Sequence, residues 1–242
     1  QQGKCFWMRI FEVPEGSKQS KGRAIQNLIN IGLDDKVLAY IPVKDIKDPE
    51  YANANFVVLS TKLGLIKKTS LEAYSRPRTN GINAVTIREG DELLQARLTD
   101  GNSEVIIGLK SGKAIRFNES KTRAVGRTAM GVKGITLGGP DDEVVGMVCV
   151  NDPESSILVV SANGYGKRSA VDDYRITNRG GKGVKTLQVT EKTGELISIL
   201  NVTDEHDLMI VNKSGITIRM AVEDLRVMGR ATQGVRLISL RG

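Results

Sequence analysis

The sequence predicts an all-β chain built from a repeated, propeller-like unit, and three observations carry that prediction. A glycine-bounded phrase recurs along the chain, each recurrence spans about 50 residues, and each holds several short apolar runs separated by Gly, Pro, Asn or Asp. Of the 242 residues, 40% are hydrophobic and only 4% aromatic, so Val, Ile and Leu must build the interior, and in short runs these favour strands.

The repeat shows first in two phrases, "AVGRTAMGVKGITL" at 124–137 and "VMGRATQGVRLISL" at 227–240. Two glycines mark each copy: one in a tight turn before a strand, the other after a basic loop. The pairs are Gly3 and Gly22, Gly64 and Gly81, Gly112 and Gly131, Gly164 and Gly183, and Gly215 and Gly234. Four pairs are 19 residues apart and one is 17, while successive first glycines are separated by 61, 48, 52 and 51 residues. The long first interval assigns an insertion to "KDIKDPEYANA" (44–54).

The third copy predicts its strands in order: "KAIRF" (113–117), then the loop "NESKTRAVGRTAM", then "VKGITL" (132–137), "EVVGMVCV" (143–150) and "SILVVS" (156–161). Four short strands in about 50 residues match one propeller blade, and a lone sheet of that size leaves an apolar face that neighbouring copies must cover. The expected organisation is one domain over 1–242 with repeats near 1–54, 55–101, 102–153, 154–203 and 204–242. The chain opens on a first-glycine strand, "GKCFWMRI", and stops at "GVRLISLRG", so both ends read as cut inside a repeat. Either the ends pair to close a ring, or flanking sequence is absent.

The chain carries 35 Lys and Arg against 28 Asp and Glu, a net +7, and its distribution is uneven. Between the paired glycines the count is 21 basic against 8 acidic; elsewhere it is 14 against 20. Four residues after the first glycine stand Lys68, Arg116, Arg168 and Arg219, with Trp7 in the first copy; fifteen after it stand Lys18, Arg127, Arg179 and Arg230, with Arg78 nearest in the shorter second copy. Cations in register around a repeat are expected to form a stripe along one edge, and such a stripe tracks a phosphate backbone. The candidate duplex-DNA contacts are Lys18, Lys21, Lys68, Arg76, Arg78, Arg116, Lys121, Arg123, Arg127, Lys167, Arg168, Arg179, Lys182, Arg219 and Arg230. Aromatic residues are nearly missing from these loops. Tyr74 and Tyr174 sit ten residues after their glycines, where Val13 and Leu225 also fall, and that position reads as a core staple rather than a stacking platform.

Other chemistries find little support. Cys5 and Cys149 are too few and too far apart for a disulfide framework or zinc site, which favours a reducing compartment. The sequence contains no apolar run of the about 18 residues a membrane span needs and opens on no signal peptide. Gly164, Gly166, Lys167 and Ser169 approach a phosphate-binding loop, but Arg168 breaks its spacing. His206 stands alone, and Asp34–Asp35 and Asp141–Asp142 fall in turns that Asp favours. No cofactor or metal ion is expected.

The phrases "NGYGKRSAVDDY" (163–174), "GRTAMGVKGI" (126–135) and "GRATQGVRLI" (229–238) resemble the C-terminal DNA-wrapping domain of the DNA gyrase A family and, more distantly, the equivalent domain of topoisomerase IV. The resemblance covers the whole chain in one register. It implies a β-pinwheel, a propeller-like disc of about six blades that exchange strands, with duplex DNA bent around its basic perimeter. It further implies a non-enzymatic module of an ATP-dependent type IIA topoisomerase, acting in the cytoplasm beside the gyrase A cleavage domain and gyrase B. One departure stands out: the family heptapeptide Gln-Arg-Arg-Gly-Gly-Lys-Gly belongs to the first blade, whereas "TNRGGKG" (177–183) matches only its last five residues and lies in the fourth copy. The expectation is that a first repeat carrying the full heptapeptide is missing. The alternatives are a topoisomerase IV-type domain that steers DNA without strong wrapping, or a propeller scaffold whose basic rim docks acidic proteins.

Overall fold

Apolar residues on both faces of a strand require cover on both faces, and the hairpins of the middle copies satisfy this by stacking between neighbours. The computed structural model describes residues 2–17 and 19–239. The first copy contributes β1 (Lys4–Cys5) and the insertion forms α1 (Pro49–Ala54), started by the Asp48 carboxylate accepting from the Glu50 amide at 3.0 Å with Pro49 leading the helix. The second copy holds β2 (Phe56–Thr61), β3 (Leu65–Ser70), β4 (Ile82–Asn83) and β5 (Leu93–Thr99). The third holds β6 (Glu104–Leu109), β7 (Lys113–Asn118), β8 (Val132–Lys133) and β9 (Val144–Val150). The fourth holds β10 (Ser156–Ser161), β11 (Tyr165–Ala170), β12 (Val184–Lys185) and β13 (Leu196–Val202). The fifth holds β14 (Asp207–Val211), β15 (Thr217–Ala221) and β16 (Val235–Arg236). Among the described residues no helix is long and apolar enough to cross a membrane.

The sheets are not made as the third copy predicts. Three four-stranded antiparallel sheets run β5-β2-β3-β8, β9-β6-β7-β12 and β13-β10-β11-β16, so the strand beside each hairpin's second arm comes from the following copy. "VKGITL" therefore pairs into the preceding sheet through β8 alone, and "SILVVS" starts the next one. The same exchange begins at the first copy, where β1 pairs with β4. The strand exchange implied by the resemblance is present.

The glycines explain how adjacent copies come so close. Gly112 adopts φ +81° in the hairpin turn, and a β-carbon there would lie 2.6 Å from the Leu187 carbonyl oxygen of the next copy. The Gly64, Gly112 and Gly164 carbonyls accept from the Gly134, Thr186 and Leu237 amides, each at 2.8 Å. Thus the first glycine of each of these copies is also the point where the next copy's chain docks.

Each seam has its own core. Val105 and Ile107 of β6 pack with Val58 and Ile66 of the second copy, while Ile106 between them packs with Ile157 and Val159 of the fourth. Between sheets, β5 packs on β9 and β9 on β13, and the Gln95 side chain accepts from the Met147 amide at 2.7 Å. Tyr74, Tyr174 and Leu225 are buried staples as expected, but Val13 is 48% exposed: the first copy makes the same 3-10 turn, at Ile10–Glu12, yet its described residues form no hairpin ahead of it. The β14–β15 hairpin buries Leu208 against Leu158 and leaves Met209 and Val211 open on its other face.

Candidate nucleic-acid interface

The basic segment of the third, fourth and fifth copies leaves its hairpin, turns and crosses the seam to reach the preceding sheet. At three seams the crossing is the same. Val125, Thr177 and Met228 donate their amides to the carbonyls of Lys68, Arg116 and Arg168 at 2.9, 2.9 and 2.8 Å. Further on, Arg127 donates to the Asn83 carbonyl at 2.8 Å, Arg179 to the Lys133 carbonyl at 3.0 Å, and Arg230 to the Lys185 carbonyl. Each acceptor stands two residues after the second glycine of the preceding copy. Arg179 and Arg230 also reach the Lys121 and Asp173 carbonyls, both at 3.1 Å. These half-buried arginines staple the crossing loop to its neighbour, and their guanidinium groups sit on the seam.

The cations four residues after the first glycine require a correction. The sequence places Lys68, Arg116 and Arg168 on an exposed edge, with Lys167 beside them; in the structure all four are buried. Lys68 Nζ pairs with Glu119 at 3.1 Å and lies 4.4 Å from the Phe56 ring centre. Arg116 donates to the Val171 and Tyr174 carbonyls at 2.9 and 3.1 Å and pairs with Glu104 at 3.2 Å. Arg168 donates to the Leu225 carbonyl and pairs with Asp204. Each reaches into the turn of the next copy, Lys68 to the Glu119 carboxylate and the two arginines to inward carbonyls that need donors, and so these side chains rivet neighbouring copies from inside. Arg219, whose hairpin has an open face, is exposed and paired with Asp207.

Lys21, Arg76, Arg78, Lys121, Arg123 and Lys182 are exposed as expected, and Arg127, Arg179 and Arg230 are half-buried. Lys18 lies outside the described residues. The structure adds two further sets in register. Eleven residues after the first glycine stand Arg123, Arg175 and Arg226, and two after the second glycine stand Lys133, Lys185 and Arg236; all six are exposed. Of these, the sequence singles out Arg123 alone. Each of the three seams thus presents one exposed arginine, one stapled arginine and one exposed cation from the exchanged strand. In the first copy, Trp7 takes the rivet's position and lines a cleft with Phe6, Leu28, Ile29, Pro77 and Arg78.

Repeated strand-exchanged blades with a basic crossing loop at every such seam define a β-propeller of the pinwheel kind. The family model for the DNA gyrase C-terminal domain, a β-propeller, matches residues 1–44, 55–100, 110–151, 155–203 and 206–242. The gyrase A protein of Staphylococcus aureus (strain NCTC 8325 / PS 47) is 47% identical over 239 residues, covering 98% of this chain and 26% of that protein. The chain therefore spans about a quarter of the length of the curated relatives it matches. Among solved structures, the C-terminal domain of DNA topoisomerase IV superposes with TM-score 0.86 at 24% identity, covering 98% of this chain and 72% of the other. The DNA gyrase A C-terminal domain superposes with TM-score 0.83 at 23% identity, covering 100% and 76%. The chain belongs to the DNA gyrase C-terminal domain family.

Proposed function

We propose that this chain is a single DNA-wrapping domain that bends duplex DNA across its basic seams, so that a gyrase can introduce negative supercoils. The observation that carries the reading is the seam triad, in which Arg123, Arg127 and Lys133 recur as Arg175, Arg179 and Lys185 and as Arg226, Arg230 and Arg236. Cations at repeated intervals neutralise successive phosphates, and many such contacts together offset a bend that costs several kcal/mol. Contacts of this kind follow the backbone and its deformability more than base identity.

The domain itself needs no cofactor and performs no bond chemistry. Its proposed partners are double-stranded DNA, the gyrase A cleavage domain and gyrase B, and its place is the cytoplasm, on nucleoid DNA. The resemblance assigns strand cleavage and ATP turnover to those partners.

Ligation of nicked plasmid in the presence of the protein tests the reading. Bending with a consistent hand shifts the linking number, weakly here because the matching heptapeptide is partial. Binding without any shift in linking number or any acceleration of short-fragment circularisation would leave steering without wrapping. Absence of duplex binding would favour the acidic-protein dock.

A further inference from the structure

Two lysines are buried where, among the described residues, no carboxylate pairs with them through a salt bridge. Lys67 on β3 and Lys167 on β11 stand three residues after their glycines and are 2% and 1% exposed. Lys67 Nζ donates to the carbonyls of Ala84 and Arg127; Lys167 Nζ donates to those of Gly229, at 2.6 Å, and Arg230. Each ammonium therefore holds the backbone of the arginine that staples its seam. At the Arg179 seam the equivalent residue is Ile115, which packs in the apolar core. A buried ammonium is costly and a hydrophobic residue serves the same fold position, so the lysines answer to something other than stability.

Resting on the DNA-wrapping reading, we infer that Lys67 and Lys167 are positioning residues that fix the Arg127 and Arg230 loops for phosphate and add a buried positive charge beneath them. Each seam so equipped then binds the duplex backbone more tightly than the Arg179 seam. The charge is titratable. Burial, reinforced by Arg127, lowers Lys67 to about 8; burial and Arg230 do the same to Lys167, with Asp173 opposing. Beside the two arginines, burial pushes Cys5 up to about 11 and Tyr74 and Tyr174 up to about 12, so these three groups stay neutral near that pH. A neutral amine keeps two N–H donors for its carbonyls, so deprotonation removes charge and leaves the loops in place.

Duplex affinity of the 242-residue protein, measured at fixed salt between about pH 7 and about pH 9, tests this. The wild type should lose about 3- to 10-fold in affinity over that range, with a salt slope lower by about one to two ions at the upper end. The Lys67→Met/Lys167→Met protein should bind about 10-fold more weakly at the lower pH and show no pH dependence, since its salt slope has already lost those ions. A folded double variant with wild-type affinity and pH profile overturns the inference. Should that variant not fold, the wild-type lysine side-chain resonances decide: midpoints near about 8 that rise when duplex is added support it, and midpoints near the ordinary about 10.4, or insensitive to duplex, overturn it. Steeply salt-dependent binding with no pH term sinks this inference alone, whereas no duplex binding at any pH sinks the wrapping reading with it.

Discussion

Lys68 Nζ lies 3.1 Å from Glu119 Oε2, and the pair joins the hairpin of the second copy to the turn that follows the hairpin of the third. Glu119 is fully buried and also accepts from Thr99 Oγ1 and the Ser103 amide, both at 2.7 Å. Removing one member leaves the other charged and buried. Glu119→Gln should therefore cost about 3–5 kcal/mol in denaturant unfolding, and Lys68→Met/Glu119→Gln less than the sum of the two single changes. A loss of under about 0.5 kcal/mol for Glu119→Gln would remove this pair from the account of seam stability.

Gly22 and Gly183 have nearly the same left-handed backbone, φ +70° and +69°, in different surroundings. A β-carbon at Gly22 would meet nothing within 4 Å, whereas at Gly183 it would lie 2.5 Å from the Ala114 carbonyl oxygen across the seam. Gly22→Ala should cost about 1–2 kcal/mol from backbone strain alone, and Gly183→Ala clearly more. Amide exchange at Val184 and Lys185 should accelerate only in the second variant. Equal costs would mean that the close crossing contributes nothing.

The pH dependence of stability has opposing parts with separate windows. Lys67 and Lys167 are lowered in the fold to about 8 from 10.5, so the unfolded chain binds more protons above about pH 8 and stability rises there. Cys5 and Cys149 are raised by burial from 9.0 to about 11 and about 12, so their contribution holds below about pH 9 and is lost as pH climbs toward those values. Unfolding free energy should therefore rise from about pH 8 to about pH 9, flatten, and fall above about pH 10, where Tyr74 and Tyr174, raised by burial from 10.0 to about 12, add to the loss. Lys67→Met/Lys167→Met should abolish the rise. A monotonic fall from about pH 8 in the wild type contradicts this.

Arg175 and Arg226 should matter as much as Arg123, which shares their place eleven residues after the first glycine. Each change to Ala should weaken duplex binding by about 3- to 10-fold and lower the salt slope by about one, with Lys192→Ala as an exposed control outside the paired glycines. A larger effect for Lys192→Ala than for Arg175→Ala in gel-shift titrations would move the interface elsewhere.

The repeat is legible in the sequence because Gly64, Gly112 and Gly164 must be glycine for two reasons at once, the left-handed turn and the crossing chain. Strand exchange is not legible in the local pattern of "VKGITL", since alternation says that a segment is a strand and not which sheet it joins; the family resemblance supplies it. The rivets are misplaced by sequence for a related reason: Arg116 in "KAIRF" alternates the same way whether its guanidinium meets solvent or the Tyr174 carbonyl. Arg175 and Arg226 stand in register, but Ser75 breaks the series in the second copy and hides the shared position. The first copy departs furthest, because Trp7 replaces the rivet and Val13 is exposed.

The central claim is that exposed seam cations, and not the rivets Lys68, Arg116 and Arg168, neutralise phosphate, and the salt dependence of duplex affinity measures it most directly. If about 6 to 10 phosphates are neutralised, wild-type affinity should fall by about 10³ to 10⁵ between about 50 and 200 mM salt. Arg123→Ala/Arg175→Ala/Arg226→Ala should remain folded and reduce the slope by about three ions. A flat wild-type response, or a folded triple variant with the full wild-type slope, would contradict the account.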